Sequence, residues 1–167
     1  MREADVEADE DAGIYSERPA RLLAALLALL SLAGAGTATY LTYVHWFDKA
    51  IICAGLGTCA QVAESDYAQL AGIPVAFLGL LGYLALVAVS VFWLRFGNRF
   101  DVWPLLAIWG MSVGGVTYSV YLTYVELFVI DAVCIWCVAS AAIMTVMFLL
   151  ATAGLLTLGR DSEPPAG

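Results

Sequence analysis

Tyr40-Leu41-Thr42-Tyr43-Val44 is repeated as Tyr121-Leu122-Thr123-Tyr124-Val125, and each copy is followed at the same interval by a cysteine, Cys53 and Cys134. The echo reaches back to Ser31 and Gly34 in the first copy and to Ser112 and Gly115 in the second. It sets Phe47 opposite Phe128, and each copy adds one more cysteine, Cys59 and Cys137. Two apolar helices that each carry a pair of thiols to the same level point to disulfide chemistry in or beside a membrane.

Composition supports the membrane. With 62% hydrophobic and 13% charged residues, the chain has far more apolar surface than a water-soluble domain can bury. Four stretches, Leu22 to Val44, Val75 to Leu94, Trp103 to Val125 and Val133 to Leu158, match the roughly 20 helical residues needed to cross a hydrocarbon core. The runs are continuous rather than alternating, and a lipid-exposed backbone must satisfy its own hydrogen bonds, so the expected fold is an all-α, four-transmembrane-helix bundle. Gly34, Gly36, Gly79, Gly82, Gly110, Gly114 and Gly115 are the positions where helices are expected to approach closely.

Arg2, Arg18 and Arg21 precede the first span, Arg95 and Arg99 lie between the second and third, and Arg160 follows the fourth, whereas Lys49 alone falls on the other side. The positive-inside rule then places both termini in the cytoplasm of a multi-pass cell membrane protein. Every cysteine lies at the opposite, oxidising face, where disulfides form and persist. Tyr40, Tyr43, Trp46, Tyr118, Tyr121, Tyr124 and Trp136 are expected in the outer aromatic belt, Trp93 and Trp103 in the inner one.

Three regions follow: an acidic cytoplasmic tail over 1–20, a membrane domain over 21–158 and a short C-terminal tail over 159–167. The net charge of −8 comes mostly from Glu3, Asp5, Glu7, Asp9, Glu10, Asp11 and Glu17, which read as a solvated, disordered tail. Arg18 and Arg21 followed by an apolar run and Ala33-Gly34-Ala35-Gly36 resemble a signal peptide. Because the hydrophobic run continues past this point and the leader is acidic, the expectation is an uncleaved span. No basic surface suited to nucleic acid is present.

Cys134 is expected in the first turn of the fourth span, with Asp131 as its N-cap. The helix dipole and free backbone N–H groups there favour a thiolate, and the Asp131 carboxylate opposes it. Cys137 lies three residues on, on the same face, so the two sulfurs can bond with little backbone motion. Cys53 and Cys59 flank Ala54-Gly55-Leu56-Gly57-Thr58, whose glycines give the loop conformational freedom. A mobile pair facing solvent and a fixed pair facing lipid form an electron relay. Ala60, Ala63, Tyr67, Leu70 and Ala71 recur at helical spacing, predicting an amphipathic interfacial helix that ends at Gly72, with Pro74 opening the next span.

Cys59-Ala60-Gln61-Val62-Ala63-Glu64-Ser65-Asp66-Tyr67, Leu70-Ala71-Gly72-Ile73-Pro74, Gly79 with Gly82-Tyr83, and Cys134-Ile135-Trp136-Cys137 together resemble the vitamin K epoxide reductase family in its prokaryotic branch. The resemblance runs over about residues 20 to 158. It implies a helical bundle around a quinone, menaquinone, ubiquinone or similar, that oxidises an extracytoplasmic thioredoxin-fold partner serving exported proteins. On that resemblance Cys59 meets the partner, Cys53 hands electrons to Cys134, Cys137 faces the quinone, and Ser65 supplies a hydroxyl beside the quinone head group. Many prokaryotic relatives carry a fused thioredoxin-like domain, which is not found before Gly167, so a separate partner is implied. Ala141 stands where mammalian members have a tyrosine, which weakens the case for epoxide reduction.

A quinone needs a flat apolar slot with one or two polar groups at its rim. Gly115, Tyr118, Leu122 and Glu126 share one face of the third span and are candidates to line it; His45, the sole histidine, is a candidate proton carrier. No metal is expected, because the spacing of Cys53 and Cys59 suits zinc poorly. The competing readings are a quinone or vitamin K epoxide reductase fed by a thiol partner and a non-catalytic membrane scaffold with structural disulfides.

Overall fold

The structure, a computed structural model, describes residues 2–47, 51–52, 59–63, 65–70, 72–97 and 102–161. Residues 2–19, 60, 66 and 158–161 are described as backbone alone. Cys53, the loop glycines Gly55 and Gly57, Lys49, Glu64, Ala71, Arg99 and the segment 162–167 lie outside the described residues.

Helix α1 runs over Arg2–Trp46, α3 over Val75–Phe96, α4 over Val102–Val125 and α5 over Ile135–Asp161, with a short α2 at Cys59–Ala63. Each long helix contains a span apolar and long enough to cross a membrane: Ala20–Trp46, Val75–Phe96, Val102–Ile130 and Ile135–Thr157. The expected spans therefore hold to within a few residues. The backbone of the acidic segment expected to be disordered continues α1 as helix instead, and acidic residues in first turns favour that by complementing the helix dipole.

Packing follows the repeat. Helix α1 packs chiefly on α3, and α4 chiefly on α5, so each copy of the repeated phrase begins a helical hairpin. A Cβ on Gly34 would fall inside the Tyr83 ring, and one on Gly115 would meet Met144 Sδ at 2.7 Å. The repeated glycine is thus a close-approach point in both hairpins, and Gly154 adds another against Leu105 and Leu23. Gly36, Gly79, Gly82, Gly110 and Gly114 have nothing within 4 Å of such a Cβ, so the expectation that these too sit at tight crossings is corrected.

Ser31 and Ser112, the other repeated pair, are fully buried, and each bonds back to its own helix, to Leu27 O and Ile108 O, both at 2.7 Å. In lipid this satisfies a small hydroxyl within its own helix, and Ser31 Oγ also lies 3.8 Å from Met147 Sδ of α5. The core comprises Leu27, Tyr83, Leu86, Leu105, Ile108 and Met147, while Leu22, Leu29, Leu81, Leu84 and Leu149 point outward, an arrangement suited to lipid tails rather than water.

The expected amphipathic helix is broken. After α2 comes a 3₁₀ turn at Asp66–Ala68, then an antiparallel pair of short strands, β1 (Gln69–Leu70) and β2 (Ile73–Pro74), with Leu70 opposite Ile73. Gly72 has φ +81° in the connection, a conformation other residues resist. A reversal needs that glycine, and its presence so close to Pro74 leaves too few residues for a continuous helix.

Candidate active site

Helix α4 does not end in a regular turn. It passes into a π-helical segment, Glu126–Ile130, closed by Asp131 in the left-handed region at φ 54°. The Glu126 carbonyl accepts the Ala132 N–H at 3.0 Å. Such widened turns carry an extra residue and re-aim the side chains at their start. Here Glu126 turns inward and is only 4% exposed.

The Glu126 carboxylate reaches across to the start of α5, where its Oε2 accepts the Cys134 backbone N–H at 3.3 Å. Cys134 precedes the first helical residue, and its carbonyl accepts the Val138 N–H at 3.0 Å. It therefore holds the N-cap position rather than the first turn. Asp131, expected as the N-cap, instead closes the π turn, because a short polar residue tolerates the left-handed conformation there.

Cys134 and Cys137 are free thiols, Cys134 buried and Cys137 half-buried. Their sulfurs and a Glu126 carboxylate oxygen lie within 4.8 Å of one another. Hydrogen bonding from the Cys137 thiol lowers the Cys134 thiol to about 7, against burial; the Cys137 N–H also lowers it, the Glu126 charge raises it, and the Trp136 N–H lowers it. The dithiol thus presents an acidic, nucleophilic Cys134 sulfur beside a second thiol that hydrogen-bonds to it.

These groups open on a cavity of about 410 Å³ between the helices, within the usual range for small-molecule sites. Every residue expected near a quinone lines it: Ser65, Gly115, Tyr118, Leu122 and Glu126, together with Cys134, Cys137 and His45. Ser65 Oγ donates to Val62 O at 2.7 Å, which fixes its direction. Glu126 Oε1 is buried with no hydrogen-bond partner among the described residues, a cost that a polar group of a bound molecule would relieve. A mostly apolar slot with a dithiol in its wall and a carboxyl oxygen that, when protonated, can donate to a quinone oxygen fits a quinone.

Two wall residues escaped the sequence-based assignment of site residues. Tyr83, buried under Gly34, places its hydroxyl 2.9 Å from Ser140 Oγ and joins α3 to α5 beside Cys137. Trp136, expected only in the aromatic belt, packs against Tyr40 with ring centroids 4.8 Å apart and planes inclined at 44°. Its indole N–H donates to Ile52 O at 3.1 Å, and Ile52 N–H donates to Tyr40 Oη at 3.0 Å. The residue before Cys53 is therefore tied to Trp136, which lies between Cys134 and Cys137 in the chain; Cys53 itself lies outside the described residues. The sequence signals were Tyr83 within the Gly82-Tyr83 motif, Tyr40 opening the repeated phrase and Trp136 lying inside the CxxC.

Cys59 is buried and disulfide-bonded at the head of α2. Gln61, two residues on, donates from Nε2 to Ile130 O at 3.4 Å, which ties α2 to the π turn bearing Glu126. One end of the bundle thus holds the Cys134–Cys137 dithiol in the wall of an apolar cavity, with Cys59 on the α2 segment tied to the same π turn, defining a membrane-embedded dithiol protein.

The chain belongs to the vitamin K epoxide reductase family, whose pattern matches residues 25–152. It is also similar to the thiol-disulfide oxidoreductase LTO1 of Arabidopsis thaliana, 30% identical over 122 residues, 66% of this chain and 31% of that protein. The chain thus spans about a third of the length of the curated relative it matches.

Proposed function

We propose that this protein is a thiol:quinone oxidoreductase that reoxidises a thioredoxin-fold (DsbA-like) thiol protein on the extracytoplasmic side and passes the electrons to a membrane quinone. The observation that carries this reading is the Cys134–Cys137 dithiol in the wall of an apolar cavity, beside an unpartnered buried carboxylate oxygen. Family membership and the similarity to a thiol-disulfide oxidoreductase support the thiol chemistry.

Cys59 receives electrons from the partner through a mixed disulfide, and Cys53 passes them to Cys134. The acceptor is the Cys134–Cys137 bond in its disulfide form, attacked at the Cys134 sulfur, and a Cys134 thiol at about 7 suits exchange near neutral pH. Cys137, next to the cavity, completes the pair that is oxidised as a quinone is reduced. Ser65, Gly115, Tyr118, Leu122 and Glu126 hold the quinone, Tyr118 by its hydroxyl, Gly115 by letting Met144 close the wall, and Ser65 by a hydroxyl that reaches the quinone when it turns from Val62 O. A quinone bound there takes up two electrons and two protons. Each 30 mV between such a two-electron acceptor and the protein disulfide is worth about 1.4 kcal/mol, so a high-potential quinone makes the relay one-way. Arg21 and Arg95 at the end of the bundle away from the cavity, with Arg2, Arg18, Arg99 and Arg160 on the same side in sequence, favour cytoplasmic termini for the membrane domain over 21–158.

The test is quinone reduction by purified protein in lipid nanodiscs, with a reduced thioredoxin-fold protein or dithiothreitol as donor. Cys134→Ser and Cys137→Ser are expected to abolish reduction with either donor. Cys59→Ser is expected to block the protein donor and spare dithiothreitol. Full activity in the Cys137 variant overturns the assignment.

A further inference from the structure

Oxidising a dithiol at a quinone moves protons as well as electrons, and the cavity wall contains few groups able to carry them. The titratable groups facing it are His45 from α1, Tyr67 from the turn after α2, Tyr83 from α3, Tyr118 and Glu126 from the α4 segment, and the two thiols of the Cys134–Cys137 pair. Among the described residues no lysine or arginine lines the cavity, and none of those residues forms an ion pair with the Glu126 carboxyl. Its two oxygens are differently employed. Oε2 is fixed by the Cys134 N–H, whereas Oε1 is buried and unpartnered, within the same cluster as the Cys137 sulfur. A carboxyl held by one oxygen and free at the other has the geometry of a proton carrier.

We propose that Glu126 is the proton carrier of the dithiol, taking the Cys137 proton on Oε1 as the Cys134–Cys137 bond closes and delivering it into the cavity. This rests on the quinone reading above and deepens it. The balance is closed: the Cys134 thiolate and the Cys137 thiol give one disulfide, one proton and two electrons. Both electrons and that proton leave on the quinone, Glu126 Oε1 holding the proton in between. The second proton, lost by Cys134 to water when its thiolate formed, returns from the aqueous face. The backbone bond from Cys134 N–H keeps the carboxyl in place through the cycle, because it uses the oxygen that does not carry the proton.

The test compares wild type with Glu126→Gln, which keeps an acceptor for the Cys134 N–H but cannot exchange a proton, and with Glu126→Asp, which can. Two readouts are taken on each: kcat for quinone reduction with dithiothreitol across pH, and the pH dependence of Cys134 alkylation followed by peptide mass spectrometry. For Glu126→Gln, kcat is expected to fall by about 100-fold, the low end for losing a general acid–base, while the alkylation midpoint of Cys134 moves to lower pH because a negative charge has gone. Glu126→Asp is expected to recover at least about tenfold of the lost rate. A more reactive thiol with slower turnover is a combination that mere loosening of the fold does not produce. A Glu126→Gln protein with wild-type kcat and pH profile overturns the proposal. So does a loss of rate with an unmoved Cys134 midpoint and no rescue by aspartate. A wild-type protein that alkylates as described yet reduces no quinone brings down the function reading as well, which separates the two failures.

Discussion

Replacing Cys137 with alanine removes the thiol that donates to Cys134, and with it the largest influence holding Cys134 at about 7. What remains is burial and the Glu126 charge, both raising it, against the N–H groups of Trp136 and residue 137. The midpoint is therefore expected to rise at least to the ordinary thiol value of about 8.5. At pH 7 the thiolate fraction falls from about one half to about 3%, roughly 16-fold. The more basic thiolate is intrinsically faster by roughly fivefold, for a Brønsted slope of about 0.45. The net expectation is alkylation about threefold slower than wild type at pH 7 and about threefold faster at pH 9, the two curves crossing near about pH 8. The sign follows from the lowered thiol: wild-type Cys134 is already ionised above about 7, so raising pH further gains it little. The assay is iodoacetamide labelling of the reduced protein in nanodiscs at a series of pH values, read on the Cys134 peptide by mass spectrometry. Curves that coincide, with a midpoint still near 7 in the Cys137→Ala protein, would refute the claim that the partner thiol sets the nucleophile.

Asp131 adopts φ 54° to close the π turn, so Asp131→Gly is expected to unfold at or above the wild-type temperature in nanodiscs. Asp131→Val should unfold lower, at a cost of about 1–2 kcal/mol for a β-branched residue in that region; equal melting of the two variants counts against the strained turn. Trp136→Phe keeps the ring against Tyr40 but loses the N–H to Ile52 O, a bond worth about 1 kcal/mol. Single-turnover electron transfer from the dithiothreitol-reduced loop pair should slow by about fivefold with Cys134 alkylation unchanged, and an unaltered transfer rate would remove Trp136 from the positioning of that loop.

The bundle was legible because membrane spans announce themselves by length and continuity, and because the chain repeats its own phrase. The repeat even chose the right glycines. Gly34 and Gly115 are repeated and sit at tight crossings, whereas Gly36, Gly79, Gly82, Gly110 and Gly114 do not. Counting glycines in an apolar run cannot make that distinction, since a small residue permits a close crossing without requiring one. The shared face of Gly115, Tyr118, Leu122 and Glu126 was equally readable, being a matter of helical period.

What helical period cannot foresee is a change of period. The π segment beginning at Glu126 adds a residue to the turn, swings the carboxylate onto the Cys134 N–H and moves Asp131 out of the capping position assigned to it. Both carboxylates lie a few residues before the CxxC, and sequence alone favoured the nearer one. The consequence is chemical as well as geometric. An exposed Asp131 cap would have offered the thiol a solvated charge, whereas the buried Glu126 offers it one fixed oxygen and one unpartnered oxygen. The helix irregularity is thus what brings a proton-exchanging group to the dithiol, and a substitution that restored a regular turn there would be expected to disturb the redox site more than the bundle.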